Sequence, residues 1–204
     1  MSRLLIFLFS YFTFLTTIFS HPVSFKGGIE LASELHSSFS FYSNYTYAAK
    51  SSIGYKYFQP NKYHSAALHY MQFNNRSYRN NMHDAQANIY QSAALVYDNN
   101  SEKLAPCYRI KADYENRLFF SGISAELMAF SDEYFFQGRI KLGISPYKHS
   151  YGGISTWFML EARYLDYYDT SLTLIPLYRG FYKTYLWELG ISDEYLYSTF
   201  MIHI

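Results

Sequence analysis

Beyond residue 20 the chain alternates between apolar and polar residues with a period of two. Successive side chains of an extended strand point to opposite faces, so this period builds half-covered strands, whereas an amphipathic helix repeats every 3.6 residues. The run from Cys107 to Arg117 shows the pattern most plainly. Tyr108, Ile110, Ala112 and Tyr114 share one face, and Arg109, Lys111, Asp113, Glu115 and Arg117 share the other. Phe119, Ile123, Ala125, Leu127 and Ala129 then oppose Ser124 and Glu126. Further on, Tyr134, Phe136, Ile140, Leu142 and Ile144 oppose Gln137, Arg139 and Lys141, and Phe158, Leu160, Ala162 and Tyr164 oppose Glu161 and Arg163. Near the end, Tyr185, Trp187, Leu189 and Ile191 oppose Thr184 and Glu188. The fold class is all-β.

About twelve such segments are present, near 23–33, 38–48, 52–59, 64–74, 84–97, 106–116, 118–130, 134–146, 153–166, 170–181, 183–191 and 195–204. Turn formers separate them: Pro60-Asn61, Asn74-Asn75, Asn80-Asn81, Asp98-Asn99-Asn100 and Ser192-Asp193. Alternation is poorest in the first, third and tenth segments. Pro176 falls inside the tenth, where it removes a ladder donor, so ten or eight strands also remain open. No repeat or linker divides the chain.

Two architectures accept this pattern. A soluble sandwich buries the apolar faces between two sheets, whereas a transmembrane barrel turns them to lipid and encloses the polar faces. The segments run about ten residues, near the roughly 9–11 that cross a bilayer at a tilt. Soluble strands are shorter, peaking near about 5–6 residues. Aromatics gather toward segment ends, as in Phe39-Ser40-Phe41-Tyr42, Tyr55-Lys56-Tyr57-Phe58, Tyr134-Phe135-Phe136, Tyr167-Tyr168 and Phe181-Tyr182. Rings with one polar edge suit the headgroup boundary at each side of a membrane. The reading is therefore a closed antiparallel transmembrane β-barrel, with a soluble exported β-sandwich that binds a ligand or partner as the alternative.

The last segment carries Leu196, Phe200, Ile202 and Ile204 on one face and Tyr195, Tyr197 and His203 on the other, and has no charged residue after Glu194. An uncharged strand running to the final residue resembles the closing strand of bacterial outer-membrane β-barrel proteins. In that family the last residue is usually Phe; here it is Ile204, with Phe200 four places earlier. The resemblance covers residues 21–204 as a pattern, without a motif particular to one protein. It implies a single barrel domain in the outer membrane of a Gram-negative bacterium, in contact with outer-membrane lipid. It also implies the barrel-insertion machinery as a partner that reads the C-terminal strand.

The N-terminal twenty residues read as an address. Arg3 supplies a positive start, Leu4 to Phe19 carries no charge, and Ser20 ends the run with a small residue. That order marks a cleaved secretory signal, and sixteen uncharged residues fall short of the roughly 20 that span a bilayer as a helix. Composition narrows what the exported chain does. Lys plus Arg is 17 and Asp plus Glu is 16, a balance without the basic excess of a nucleic-acid binder. One cysteine, Cys107, excludes an internal disulfide framework.

Enclosing the polar faces places Arg109, Lys111, Arg117, Arg139, Lys141 and Arg163 in the lumen beside Asp113, Glu115, Glu126, Glu161 and Glu188. Six cations against five anions imply no strong selectivity field. This wall serves a structural polar core or a small-solute pore, and the sequence names no solute. The seven histidines sit in no G-x-S-x-G or H-E-x-x-H arrangement, so no enzymatic role, metal or other cofactor is expected.

Overall fold

A computed structural model of the chain describes residues 22–36, 38–60, 67–131, 133–148, 153–166, 171–192 and 195–204. The expected signal segment, residues 1–20, lies outside them. Twelve strands follow one another: β1 (Ile29–Leu35), β2 (Phe39–Ala48), β3 (Ser51–Gln59), β4 (Leu68–Asn81), β5 (Ala85–Asp98) and β6 (Lys103–Asn116), then β7 (Phe119–Ala129), β8 (Tyr134–Ile144), β9 (Ser155–Leu165), β10 (Ser171–Tyr182), β11 (Tyr185–Ile191) and β12 (Leu196–His203). Each pairs antiparallel with its sequence neighbours. The sheet closes because β1 also pairs with β12: Glu30 stands opposite Asn44 on one side and His203 on the other. A closed cylinder has no open rims, and this overturns the two-layer sandwich. With an even number of antiparallel strands the start of β1 and the end of β12 meet at one end of the barrel, here the terminal end.

Parity decides which side chains face outward. Ile123 is 56% exposed, Ile140 50% and Leu174 57%, while Glu126, Glu161 and Arg179, which have the opposite parity on β7, β9 and β10, are buried. Water would not tolerate so continuous an apolar exterior, whereas hydrocarbon covers it at no cost. Closure pairs every strand edge within the ladder, which is what a lipid environment demands of a backbone. Two aromatic girdles ring the outside. Phe39 and Tyr57 (6.1 Å between centroids) and Phe136 and Tyr164 (6.0 Å) lie at the far end. Phe158 and Tyr178 (6.0 Å) and Tyr185 and Phe200 (6.3 Å) lie toward the terminal end.

The structure refines the sequence reading at three places for a clear physical reason, and Asn80-Asn81, read as a turn, also lies inside β4. The first strand begins at Ile29 rather than near 23, because residues 22–24 fold back into the barrel mouth. Asn74-Asn75 is no turn: β4 runs on to Asn81, and Asn74 pairs with Ser92 of β5. Its amide is buried and donates to Asn44 Oδ1 and Ser52 Oγ, each at 3.1 Å. Asparagine signals a turn only where the strand interior is apolar; in a polar lumen it is an ordinary wall residue. Pro176 sits in β10 opposite Leu160 of β9, and the β10–β11 ladder begins one residue later at Leu177–Gly190. Its missing N–H therefore costs no bond on the β11 side.

Candidate pore lumen

Sequence alternation delivers a charged side chain into the barrel at nearly every strand, and the lumen turns these into cross-braces. On β1, Glu34 accepts a hydrogen bond from Arg139 Nη1 of β8 at 2.9 Å and pairs with Arg163 Nη1 of β9 at 2.9 Å. Those strands are not neighbours in the sheet, so the contact spans the cavity. Arg163 also donates through Nη2 to Glu161 Oε1 at 2.7 Å. Lys141 Nζ bridges Glu161 Oε2 and Glu188 Oε2, 2.9 Å from each. Glu188 is the hub: Arg179 Nε donates to it at 2.7 Å and the Tyr197 hydroxyl at 2.8 Å. The Arg179 guanidinium lies 4.5 Å from the centroid of the Phe120 ring on β7.

A second brace lies nearer the far end. Glu126 of β7 is clasped by Arg109 of β6, and Lys56 Nζ of β3 reaches it from across the lumen at 3.5 Å. The Tyr70 hydroxyl of β4 donates to Met128 Sδ at 3.1 Å, and Lys56 Nζ sits 4.4 Å from the Tyr70 ring centroid. A third group is built from amides. Asn44 donates to Glu30 Oε1 at 3.1 Å, and its own Oδ1 accepts from Gln72 at 2.7 Å. Gly54 stands between them because a Cβ there would meet Asn44 Oδ1 and the Ser43 carbonyl.

Apolar packing flanks these groups. Phe58, Leu68, Tyr70, Val96, Met128 and Phe130 pack together inside the far half. Phe120, Trp157, Met159, Leu177, Leu186 and Met201 do so toward the terminal end. What space remains is a cavity of about 190 Å³ bordered by Glu30, Glu34, Lys56, Arg109, Lys111, Arg139 and Glu188 among others. A buried ion pair repays its desolvation only with good geometry and further hydrogen bonds. Each brace here supplies both.

Of the residues named from sequence, Arg109, Lys111, Glu126, Arg139, Lys141, Glu161 and Glu188 border this cavity. Arg163 is buried in the same network, and Asp113 lies on the inner wall, accepting from Asn88 Nδ2 at 2.8 Å. Glu115 is buried two residues further along β6. Arg117 is placed differently: it follows β6 in the turn to β7, 3.7 Å from Asp84. The strand ends before it, so parity no longer governs where it points.

Sequence reasoning missed Glu30, Glu34, Lys56 and Arg179. The signal existed for β1, where Ile29, Leu31 and Leu35 alternate with Glu30 and Glu34, but a strand begun six residues early obscured it. Lys56 was hidden among three aromatics, Tyr55, Tyr57 and Phe58, and Arg179 by the nearby Pro176. A Ser–His–acid contact also escaped spacing rules: His203 Nδ1 lies 3.2 Å from Ser24 Oγ, and its Nε2 lies 3.6 Å from Glu30 Oε2. All three are buried, and neither Ser24 nor His203 borders the cavity.

This closed barrel has known counterparts. It is the fold of a bacterial porin barrel. A KdgM porin superposes with a TM-score of 0.50 at 9% identity, covering 86% of this chain and 97% of that one. A KdgM porin in complex with disordered oligogalacturonate gives a TM-score of 0.50 at 8% identity over the same shares. No protein-family model matches the sequence. No curated protein matches it either.

Proposed function

We propose that the chain is a non-enzymatic outer-membrane pore, built as a twelve-stranded barrel, for small polar solutes of no net charge. In this reading a signal peptide, residues 1–20, directs export, and the insertion machinery engages β12. The terminal end then faces the periplasm. The observation that carries the reading is the chain of ion pairs crossing the lumen around the cavity, Arg139–Glu34, Lys141–Glu188 and Lys56–Glu126. A structural similarity to a porin seen with oligogalacturonate raises the question of a polyanionic solute. The wall of this barrel answers differently. Arg109, Arg139, Lys141, Arg163 and Arg179 each lie against a carboxylate, so an acidic oligomer would meet carboxylates beside every guanidinium. Matched charges favour dipolar, hydroxyl-bearing solutes over ions of either sign.

Conductance in planar bilayers tests the reading. Purified protein should give small channels whose reversal potential in a salt gradient stays near zero. Replacing Arg139 by Ala should shift the selectivity toward cations, and replacing Glu161 by Ala toward anions. A protein that leaves the membrane on a carbonate or urea wash, or a reversal potential strongly biased to one ion, would overturn it.

A further inference from the structure

The chain before β1 turns inward. Residues 25–28 make a tight reversal, in which the Gly28 N–H donates to the Phe25 carbonyl at 2.9 Å. Gly27 takes a φ of +87°, open to glycine and strained for other residues. At Gly28 an added Cβ would stand 2.9 Å from the Phe25 ring. The sequence thus encodes the reversal, which points Pro22, Val23 and Ser24 back into the mouth of the barrel. Val23 is only 1% exposed, and Pro22 borders the central cavity.

The two parts of this segment are held differently. The reversal is fixed by backbone bonds to β2: the Gly27 N–H donates to the Thr46 carbonyl at 2.7 Å and the Thr46 N–H to the Gly28 carbonyl at 3.0 Å. Residues 22–24 belong to no strand, and their tethers are side chains of the wall. The Ser24 N–H donates to Thr46 Oγ1 at 2.9 Å, the Ser24 hydroxyl meets His203 Nδ1 at 3.2 Å, and the Ser52 hydroxyl donates to the Pro22 carbonyl. A segment fastened at its hinge by the backbone and elsewhere, among the described residues, by three side-chain contacts opens at far lower cost than the barrel itself.

We infer that residues 22–24 are a strap that closes the terminal mouth of the lumen and swings out about the Gly27–Gly28 reversal to let solute through. This rests on the pore reading above. His203 is a positioning residue in this device, joining the strap through Glu30 to the amide row of Asn44 and Gln72.

Single-channel recording on the full chain tests it with three variants. Val23→Asp places a carboxylate where a side chain is buried, and should raise the mean conductance severalfold by expelling the strap. Thr46→Val removes one tether and leaves the wall charges alone. Loss of one such hydrogen bond shifts an equilibrium by up to roughly tenfold, so this variant should spend more time open. Its milder change keeps the test intact if Val23→Asp fails to fold, which heat-dependent mobility in detergent reports. Ser24→Cys with Thr46→Cys, in a Cys107→Ala background, should close the channel when oxidised and reopen it on reduction. Conductance unchanged in Thr46→Val and indifferent to oxidation of the cysteine pair overturns the strap. In that case a channel widened by Arg139→Ala with Glu34→Ala leaves the pore standing. If this double variant and the strap variants are all silent, the pore reading fails with the strap.

Discussion

Replacing Glu188 by Gln asks whether the Arg179–Glu188 hub is packed into the barrel wall beside the solute path or washed by the water of that path. The carboxylate accepts from Arg179 Nε at 2.7 Å and from the Tyr197 hydroxyl at 2.8 Å, and Lys141 Nζ lies 2.9 Å away. Glutamine keeps the shape and, with its oxygen toward Tyr197, an acceptor there, but it removes the charge and sets an amide donor against Arg179. Lys141 still has Glu161 at 2.9 Å. Arg179, 4% exposed, pairs with no other carboxylate among the described residues. An uncompensated guanidinium in a dry interior costs about 3–5 kcal/mol. The same pair, if the water of the lumen reached it, would be screened and worth at most about 1 kcal/mol. Urea-induced unfolding of the bilayer-inserted protein separates these values. The expected result is a loss of about 3 kcal/mol or more for Glu188→Gln. Replacing Arg179 by Met in the same chain should recover most of it, because the charge and its lost partner then go together. A change within about 1 kcal/mol would refute the argument and mean that water reaches the hub.

Two further outcomes follow from the outer face and the far-end turns. Ile140, 50% exposed in the middle of β8, faces hydrocarbon, so Ile140→Arg should lower bilayer unfolding stability by about 2–4 kcal/mol. A neutral result by the same titration would mean that this wall is not lipid-covered. His36 follows β1 and joins the β1–β2 turn to the β11–β12 turn through Ser192 Oγ at 3.2 Å. Burial, aided by the Arg163 charge, holds its pKa below the ordinary 6.5. The folded form therefore binds this proton less readily than the unfolded chain, and the stabilisation present above pH 6.5 is lost as pH falls below it. Thermal unfolding of wild type and His36→Gln should diverge least in acid; parallel pH profiles would refute the assignment.

The period of two dictated strands, because alternation is a property of the extended backbone itself, but it left ten or eight strands open beside the twelve that the barrel has. It also separated wall residues from lipid-facing ones in the middle of long strands, as at Arg109, Lys111 and Arg139. Strand ends were less legible. Asn74 carries a turn composition that only a polar interior turns into strand, and Pro176 costs no bond on the β11 side because the β10–β11 ladder stops short of it. Arg117 follows the parity of β6 but lies past its end.

Periodicity could not distinguish lipid from a facing sheet as the cover of the apolar side, since both demand the same alternation. Closure decided that, by pairing β1 with β12 across almost the whole length of the chain. Partners within the lumen were likewise set by tertiary structure alone. Glu34 meets Arg139 and Ser24 meets His203 because a closed cylinder brings distant strands to one axis, and no spacing along the chain records which side chains will face each other there.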